Sequence, residues 1–161
     1  MASRSPWAIL LVLAAALALI SLDNTIVNVA LPTLQEELGA TTAELQWVVD
    51  AYSVLFAGTL LLAGSLGDRF GRRRALLIGM VIFGAGSLAA GFATTADLLI
   101  ACRAIMGIGG AFIMPSTLSI LVQVFTDPRA RAQAIGIWAA VAGAAVAIGP
   151  ILGGLLLEYT T

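Results

Sequence analysis

"GSLGDRFGRRRAL", residues 64–76, is the most charged stretch of a chain that is otherwise strongly apolar. It holds five of the 17 charged residues, while 60% of the 161 residues are hydrophobic and the mean hydropathy is +1.03. Soluble domains carry about 25% charged residues, whereas this chain carries 11%. A water-soluble fold of this composition would lack the polar surface needed to cover its core. The stretch therefore predicts a short loop at a membrane surface, between two membrane-spanning helices.

Apolar stretches flank this loop and three other short polar connections. They cover residues of about 7–31, 45–66, 75–93, 98–125 and 133–157. Each is long enough to cross ~30 Å of hydrocarbon as a helix, and lipid requires every backbone polar group to be paired within its own segment. We predict an all-α membrane protein with five transmembrane helices in one domain over residues 1–161. The first stretch could alternatively be a cleaved signal peptide, but its apolar character continues through Asp23 to Leu31.

Arginine is distributed unevenly between the two sides of the predicted bundle. If the helices alternate in direction, seven of the eight arginines fall on one side: Arg4, Arg69, Arg72, Arg73, Arg74, Arg129 and Arg131. The opposite side receives no arginine and five acidic residues: Glu36, Glu37, Glu44, Asp97 and Glu158. Cytoplasmic loops of membrane proteins are enriched in Lys and Arg. We therefore predict a multi-pass protein of the cell membrane with a cytoplasmic N-terminus and the lipid bilayer as its partner.

Several function classes are disfavoured by composition. The chain contains no histidine, so imidazole metal sites and histidine proton relays are excluded, and its single Cys102 cannot form an intrachain disulfide. There is no "GxxxxGK(S/T)" phosphate loop. A net charge of −1 without a basic domain gives no indication of nucleic-acid binding. We expect no enzyme activity, no cofactor, no metal site and no nucleic-acid partner.

Three ionisable residues lie within the predicted spans: Asp23, Asp50 and Arg103. Each costs at least ~2.5 kcal/mol at the centre of a membrane helix, so such residues are functional candidates by default. Counted from the outer helix ends at 1.5 Å per residue, their depths are about 12, 7.5 and 9 Å. Mutual pairing is therefore possible, and one arginine facing two acids would leave one carboxylate short of a partner, as a proton carrier requires. Asp50 is the weakest of the three because it lies nearest the interface, and Arg103 could alternatively neutralise Asp23 for structural reasons alone.

The residues of the opening stretch match a known loop signature. Nine positions fit "GxL(A/G)D(R/K)xG(R/K)(R/K)xxL": Gly64, Leu66, Gly67, Asp68, Arg69, Gly71, Arg72, Arg73 and Leu76. On this basis the chain resembles the major facilitator superfamily, in which this signature joins the second and third helices, and specifically its drug:proton antiporters of the fourteen-span type. The resemblance implies a latch that clasps the two halves of the transporter in the outward-open state, formed by Gly64, Asp68, Arg69, Gly71, Arg72 and Arg73. The alternative is that the signature only marks topology.

Two further stretches are similar to motifs of the same drug exporters. "LDNTIVNVALP", residues 22–32, resembles their first-helix motif and implies that Asp23 is protonated or recognises cations. "LIACRAIMGIGGA", residues 99–111, resembles "LxxxRxxQGxGAA", with Met106 in place of glutamine and Gly110 in place of an alanine. This resemblance implies that Arg103 couples proton movement to the conformational change. "LQWVVDAYSV", residues 45–54, looks like their second helix apart from Asp50.

The fifth apolar stretch contains "AIGPILGG", residues 147–154, which is similar to the antiporter signature "GxxxGPxxGG". Pro150 lacks a backbone N–H and should bend the helix, while Gly149, Gly153 and Gly154 should keep the bend tightly packed. In the family this motif separates exporters from symporters.

The resemblance also implies what a whole protein of this kind would do. Superfamily members are built from six-helix halves of inverted three-helix repeats, so five spans indicate an N-terminal fragment truncated before its sixth helix. We expect the parent to be a proton-coupled multidrug efflux transporter working by alternating access on lipophilic or cationic small molecules, with the missing C-terminal spans as partners. The alternatives are an uptake symporter of the same superfamily or a non-transporting membrane scaffold.

Overall fold

Five long helices account for nearly all of the chain. A computed structural model describes the backbone of residues 5–160 and the side chains of residues 5–155 and 158. The helices are α1 (Pro6–Leu38), α2 (Thr42–Phe70), α3 (Arg72–Ala90), α4 (Ala96–Val124) and α5 (Pro128–Thr160), and the described residues contain no strand. All five are long and apolar enough to cross a membrane. The predicted all-α membrane fold is confirmed, while Arg4 lies outside the described residues.

The helix ends differ from the predicted spans because hydropathy marks where lipid ends, not where helical hydrogen bonding ends. α1 continues past Leu31 and through Pro32 as far as Leu38, and Gly39 follows it in the left-handed conformation with a φ of 61°. The polar segment after Leu31 was predicted as a loop, so this prediction was wrong. α3 ends at Ala90, earlier than the predicted limit.

The opening stretch is also more helical than a loop. Its residues up to Phe70 form the last turns of α2, and α3 begins at Arg72. Gly71 alone separates the two helices, with a φ of 101°. Side chains with a Cβ rarely adopt this conformation, so glycine permits a reversal of direction within a single residue. The predicted short loop is therefore a one-residue turn.

Short polar side chains fix the starts of three helices. At α2, the Thr41 hydroxyl accepts from the Glu44 amide at 3.3 Å, and the Glu44 carboxylate accepts from the Thr41 amide at 2.7 Å, which forms a capping box. The Thr95 hydroxyl and the Asp127 carboxylate accept from amides three residues further on, at 3.3 and 2.8 Å. These caps satisfy backbone donors where the helices leave the apolar region.

Large apolar side chains point outward along the bundle. Leu61 is 87% exposed, Phe92 75% and Val81 70%. In water this surface would favour aggregation, whereas in a bilayer it faces acyl chains. The outer surface therefore suits a lipid environment.

α4 organises the packing between helices. It packs most extensively against α2 and α3, while α1 packs mainly along α5, and a smaller contact between α1 and α4 joins the two groups. Glycines allow the close approaches: a Cβ at Gly109 would lie 2.6 Å from the amide nitrogen of Phe83 on α3, and one at Gly107 would overlap the backbone carbonyl of Tyr52 on α2. Close van der Waals contact replaces the hydrophobic drive that lipid cannot provide.

Candidate functional site

Arg103 is a buried cation between α1, α2 and α4. Its side chain is 2% exposed. Nε donates to the backbone carbonyl of Val48 at 3.2 Å, Nη1 donates to the carboxylate of Asp23, and Nη2 donates to Oδ1 of Asn24 at 3.1 Å. One side chain on α4 therefore bonds to both α1 and α2.

The face of the same guanidinium is covered by an aromatic ring. Arg103 Cζ lies 4.7 Å from the ring centroid of Tyr52, and Tyr52 is stacked with Phe56 at 5.9 Å between centroids and 15° between ring planes. A cation over an aromatic face gains about 2 kcal/mol or more where water is excluded. Arg103 thus has hydrogen-bond acceptors around its edge and a π face against its plane.

Local geometry aims these partners at the arginine. The Asn24 amide nitrogen donates to the carbonyl of Ile20 at 3.2 Å, which leaves its oxygen facing Arg103. On α4, Gly107 lies one turn beyond Arg103 and against the backbone of Tyr52. Because no side chain separates the two helices there, the Val48 carbonyl comes within reach of Arg103.

The two charged members of the site differ in burial. The Arg103 side chain is 2% exposed and that of Asp23 is 22% exposed. Arginine does not lose its proton in proteins, and removing one member of a buried ion pair costs about 3–5 kcal/mol. The chemistry open to this pair is therefore protonation of the more accessible carboxylate, with the arginine remaining charged.

Asp50 is separate from this site. Its side chain is half-buried, and within the described residues it belongs to no ion pair. It lies two residues, about 200° of helical rotation, from Tyr52, so the two side chains leave α2 on opposite sides. The predicted arrangement of one arginine between two acids is not formed: the structure brings Asp23 to Arg103 and leaves Asp50 apart.

The predicted latch residues surround the one-residue turn between α2 and α3. Asp68 pairs with Arg72 across the turn, with side-chain exposures of 71% and 15%. Arg69 lies over the ring of Phe70, with Cζ 5.4 Å from its centroid, and Arg73 is exposed. Of the two roles open to Asp68, helix capping or ion pairing, the structure shows the pairing.

Gly64 makes no close approach to any of the described residues, since a Cβ there would have no heavy atom within 4 Å. Gly67, one turn later, makes the contact instead: a Cβ there would lie 3.0 Å from Nη1 of Arg72. The difference arises because Gly67 lies in the last turn of α2, beside the start of α3, whereas Gly64 lies one turn before it.

The glycines around Pro150 divide into two kinds. A Cβ at Gly149 would overlap the hydroxyl of Thr25, and one at Gly153 would lie 3.4 Å from Val29, so both glycines face α1. A Cβ at Gly154 would meet nothing within 4 Å. Its predicted packing role is wrong because it is rotated about 100° from Gly153 on the same helix. Pro150 lies inside α5, which is helical on both sides of it.

Comparison with known proteins decides the family. Residues 13–161 match the Major Facilitator Superfamily. The chain belongs to this superfamily. Similar relatives are a multidrug efflux pump of Mycolicibacterium smegmatis (48% identical over 160 residues), a methyl viologen resistance protein of Salmonella typhimurium (43% over 153) and a puromycin resistance protein of Streptomyces alboniger (42% over 156). The predicted resemblance to drug exporters is confirmed.

The chain is shorter than these superfamily relatives. The three alignments cover 98%, 95% and 97% of this chain but 32%, 31% and 31% of the respective relatives. The chain therefore spans about a third of the length of the curated relatives it matches. Membership of the superfamily also means that the bilayer surrounds these helices and that small molecules are the substrate class of its carriers.

Sequence reasoning missed three members of the Arg103 site: Asn24, Val48 and Tyr52. Val48 contributes a backbone carbonyl, which no sequence pattern marks. Tyr52 is an aromatic residue in an apolar helix, which by itself does not indicate a site. Asn24 is adjacent to Asp23 in sequence, so helical periodicity does not place the two on one face. The usable signal was Arg103 itself, because a membrane arginine with a single strong counter-ion needs further acceptors for its remaining donors.

Two surface grooves lie away from the ion pair. One, of about 920 Å³, runs between α1, α3 and α4 past Val12, Arg72 and Leu76. Another, of about 470 Å³, lies between Leu19 and the end of α3. Neither contains Asp23 or Arg103. The buried charge pair and these apolar grooves are thus distinct features of the bundle.

Proposed function

We propose that these residues contribute five helices to a proton-coupled multidrug exporter of the cell membrane that works by alternating access. The observation that carries the proposal is the ion pair between buried Arg103 and partly exposed Asp23, which joins α1 to α4. The relatives are named for multidrug efflux and for resistance to methyl viologen and puromycin, which supports export of lipophilic or cationic small molecules.

The proposed coupling step is protonation of Asp23. A neutral carboxyl group no longer forms an ion pair with the guanidinium, so the electrostatic link between α1 and α4 weakens and the two helices can move relative to each other. Deprotonation restores the link. Because Arg103 stays charged, each cycle moves one proton at Asp23 without a second titrating partner. The chain acts as a carrier in this proposal, with an ion gradient as the energy source.

The remaining features have supporting roles in this proposal. The Asp68–Arg72 pair and its neighbouring arginines act as the latch at the cytoplasmic surface, and the arginine distribution supports an N-terminus on the cytoplasmic side. The packed glycines of α5 keep it close to α1 during the conformational change. Asp50 has no assigned part.

Replacing Asp23 by asparagine tests the proposal in the complete gene product that carries this sequence. Dye export is measured in inverted membrane vesicles with an imposed proton gradient. Asp23→Asn is expected to lower proton-driven export roughly a hundredfold, as the loss of one member of a buried ion pair suggests. Asp50→Asn is the control, a second acid within the predicted spans that lies away from Arg103, and is expected to export normally. Undiminished export by Asp23→Asn, or dye movement only in the uptake direction, contradicts the proposal.

A further inference from the structure

We propose that Tyr52 is the positioning residue that holds Arg103 in place when Asp23 is protonated. We also propose that Gly110, which has no side chain, leaves the space that the Tyr52 hydroxyl occupies. This inference rests on the proposed function and deepens it, because it names the group that retains the arginine during the half of the cycle in which its counter-ion is neutral.

Charged groups around Arg103 are few. No acid occurs on α3 between Arg74 and Ala90, and α5 carries no charge between Arg131 and Glu158. On α4 itself the neighbouring titratable side chain is the buried thiol of Cys102. On α2, Asp50 leaves the helix on the side opposite Tyr52. Once Asp23 is neutral, Arg103 is left with uncharged partners.

Those uncharged partners are not equivalent. The Val48 carbonyl and the Asn24 amide oxygen each accept one hydrogen bond at the edge of the guanidinium, at 3.2 and 3.1 Å. Tyr52 instead covers its plane, 4.7 Å from Cζ to the ring centroid. The negative face of an aromatic ring attracts a cation whatever the protonation state of nearby acids. Val48 and Asn24 hold only the edge of the guanidinium, and Tyr52 is the partner that holds its plane while the ion pair is open.

Both ends of Tyr52 rest on the same face of α4. The backbone carbonyl of Tyr52 lies against Gly107, and its hydroxyl lies against Gly110, where a methyl group would be 2.6 Å from the hydroxyl oxygen. Arg103, Gly107 and Gly110 follow a spacing of four and three residues, which places them on one side of the helix. Phe56 stacks on the ring and completes the seat. The glycine that departs from the family motif is thus the one that makes room for the tyrosine.

Enlarging position 110 and then shortening the side chain at position 52 tests the contact between Gly110 and the Tyr52 hydroxyl. Gly110→Ala should push the ring off its position and lower proton-driven export, whereas adding Tyr52→Phe removes the oxygen that the new methyl group meets. The double variant is therefore expected to export several-fold faster than Gly110→Ala alone. Gly84→Ala, at a glycine of α3 with open space around it, is the control for a simple loss of helix flexibility. A double variant no better than Gly110→Ala overturns the inference.

Fluorination tests the π contact without changing packing. In the complete gene product, phenylalanine carrying zero to three ring fluorines is placed at position 52 by nonsense suppression. Fluorine weakens the negative ring face while barely altering its size, so the export rate should fall step by step, by roughly tenfold at three fluorines. The same series at Phe83, a buried aromatic ring of α3 that does not cover Arg103, is the control and should show no graded decline. A series at position 52 that is flat in both the export rate and the thermal unfolding midpoint overturns the inference.

Asp23→Asn and the thermal unfolding midpoint of each variant are measured alongside. If Asp23→Asn exports normally, the proposed function fails, and the fluorinated series at position 52 is then judged by its thermal unfolding midpoints. A midpoint that decreases with each fluorine upholds the anchoring of Arg103 by Tyr52. A constant midpoint refutes it. If Asp23→Asn is inactive and the series is flat in both measurements, the proposed function stands and the role of Tyr52 falls.

Discussion

The guanidinium of Arg103 presents five N–H donors in one plane, and the structure supplies acceptors for them on two different helices. Asp23 and Asn24 lie on α1, and the Val48 carbonyl lies on α2. A lysine ammonium has three donors on one compact nitrogen, which does not match acceptors spread around the edge of a planar group. The planar fork satisfies all three together, and it also offers a flat surface to Tyr52.

Arg103→Lys is therefore expected to lose the simultaneous hydrogen bonds to α1 and α2 and the contact with Tyr52, although it retains the positive charge. Proton-driven export should fall at least about tenfold, because lysine lacks the fork that bonds to several acceptors and the planar surface that stacks on Tyr52. The measurement is dye export from inverted vesicles that contain equal amounts of protein. Arg129→Lys, at an exposed arginine near the start of α5, is the control and should be silent. Export at the wild-type rate by Arg103→Lys would show that charge alone is sufficient.

For single residues, the sequence predicts the depth of a side chain in the membrane but not the neighbouring helix that it faces. Counting residues from the helix ends correctly indicated that Asp23 and Arg103 could pair, since charges in lipid need partners. The same count also left Asp50 as a second acid that could pair with Arg103, although its side chain points away from Arg103. Residue counting along a helix fixes distance from the membrane surface, whereas the side of the helix that faces a neighbour is fixed by packing.

Helix pairs in this protein approach closely through glycine, from both sides where Gly79 of α3 lies against Gly109 of α4 and from one side at the α2–α4 and α1–α5 contacts. On α4 the glycines face α2 and α3, and on α5 they face α1. At the contact of α1 with α5, the Thr25 side chain fills the space beside Gly149 while its hydroxyl donates to carbonyls of its own helix, at 3.1 Å to Ser21 and 2.9 Å to Leu22. The threonine is thus held in one rotamer, and the glycine accommodates it.

Alanine substitutions at two glycines of the same motif are therefore expected to affect thermal stability differently. Gly149→Ala should force α1 and α5 apart at Thr25 and lower the thermal unfolding midpoint by several degrees, since overpacking a tight contact typically costs about 1–3 kcal/mol. Gly154→Ala, in open space five residues further along, should not lower it. Unfolding is followed in detergent for both variants and for Gly149→Ala combined with Thr25→Ala, which should recover stability. Equal midpoints for the two single variants would remove the contact as the reason for the glycine.

The elements themselves were largely predictable from the sequence, and their ends were not. Apolar length gave five helices in the correct order because lipid leaves the backbone no alternative to internal hydrogen bonding. It could not show that α1 continues to Leu38, since polar residues outside lipid continue a helix as readily as they form a loop. The charged stretch of residues 64–76 was predicted as a loop, although a single glycine suffices for the turn.

At the scale of the whole molecule, two groups of helices meet at a narrow contact. α2, α3 and α4 form one group, α1 and α5 form the other, and α1 touches α4 between them. Contacts between α4 and α2 and between α1 and α5 correspond to each other under the inverted-repeat relation of transporters of this class. The Asp23–Arg103 ion pair crosses the contact between the groups. A charge change at Asp23 is therefore located where it affects the relative position of the two groups.

The Asp68–Arg72 pair lies at the turn between α2 and α3, inside one of these groups. Its proposed role as a latch predicts an effect on activity without an effect on stability. Asp68 is 71% exposed, and exposed ion pairs contribute only about 0–1 kcal/mol to stability. Asp68→Asn should therefore leave the thermal unfolding midpoint within a few degrees of wild type, yet lower export about tenfold or more if the pair governs movement between conformations. Asp97→Asn, at an exposed acid in the first turn of α4, controls for loss of surface charge and should change neither quantity. If Asp68→Asn lowers the midpoint and export together, the pair is structural, and if export is unchanged, the stretch at residues 64–76 is only a marker of topology.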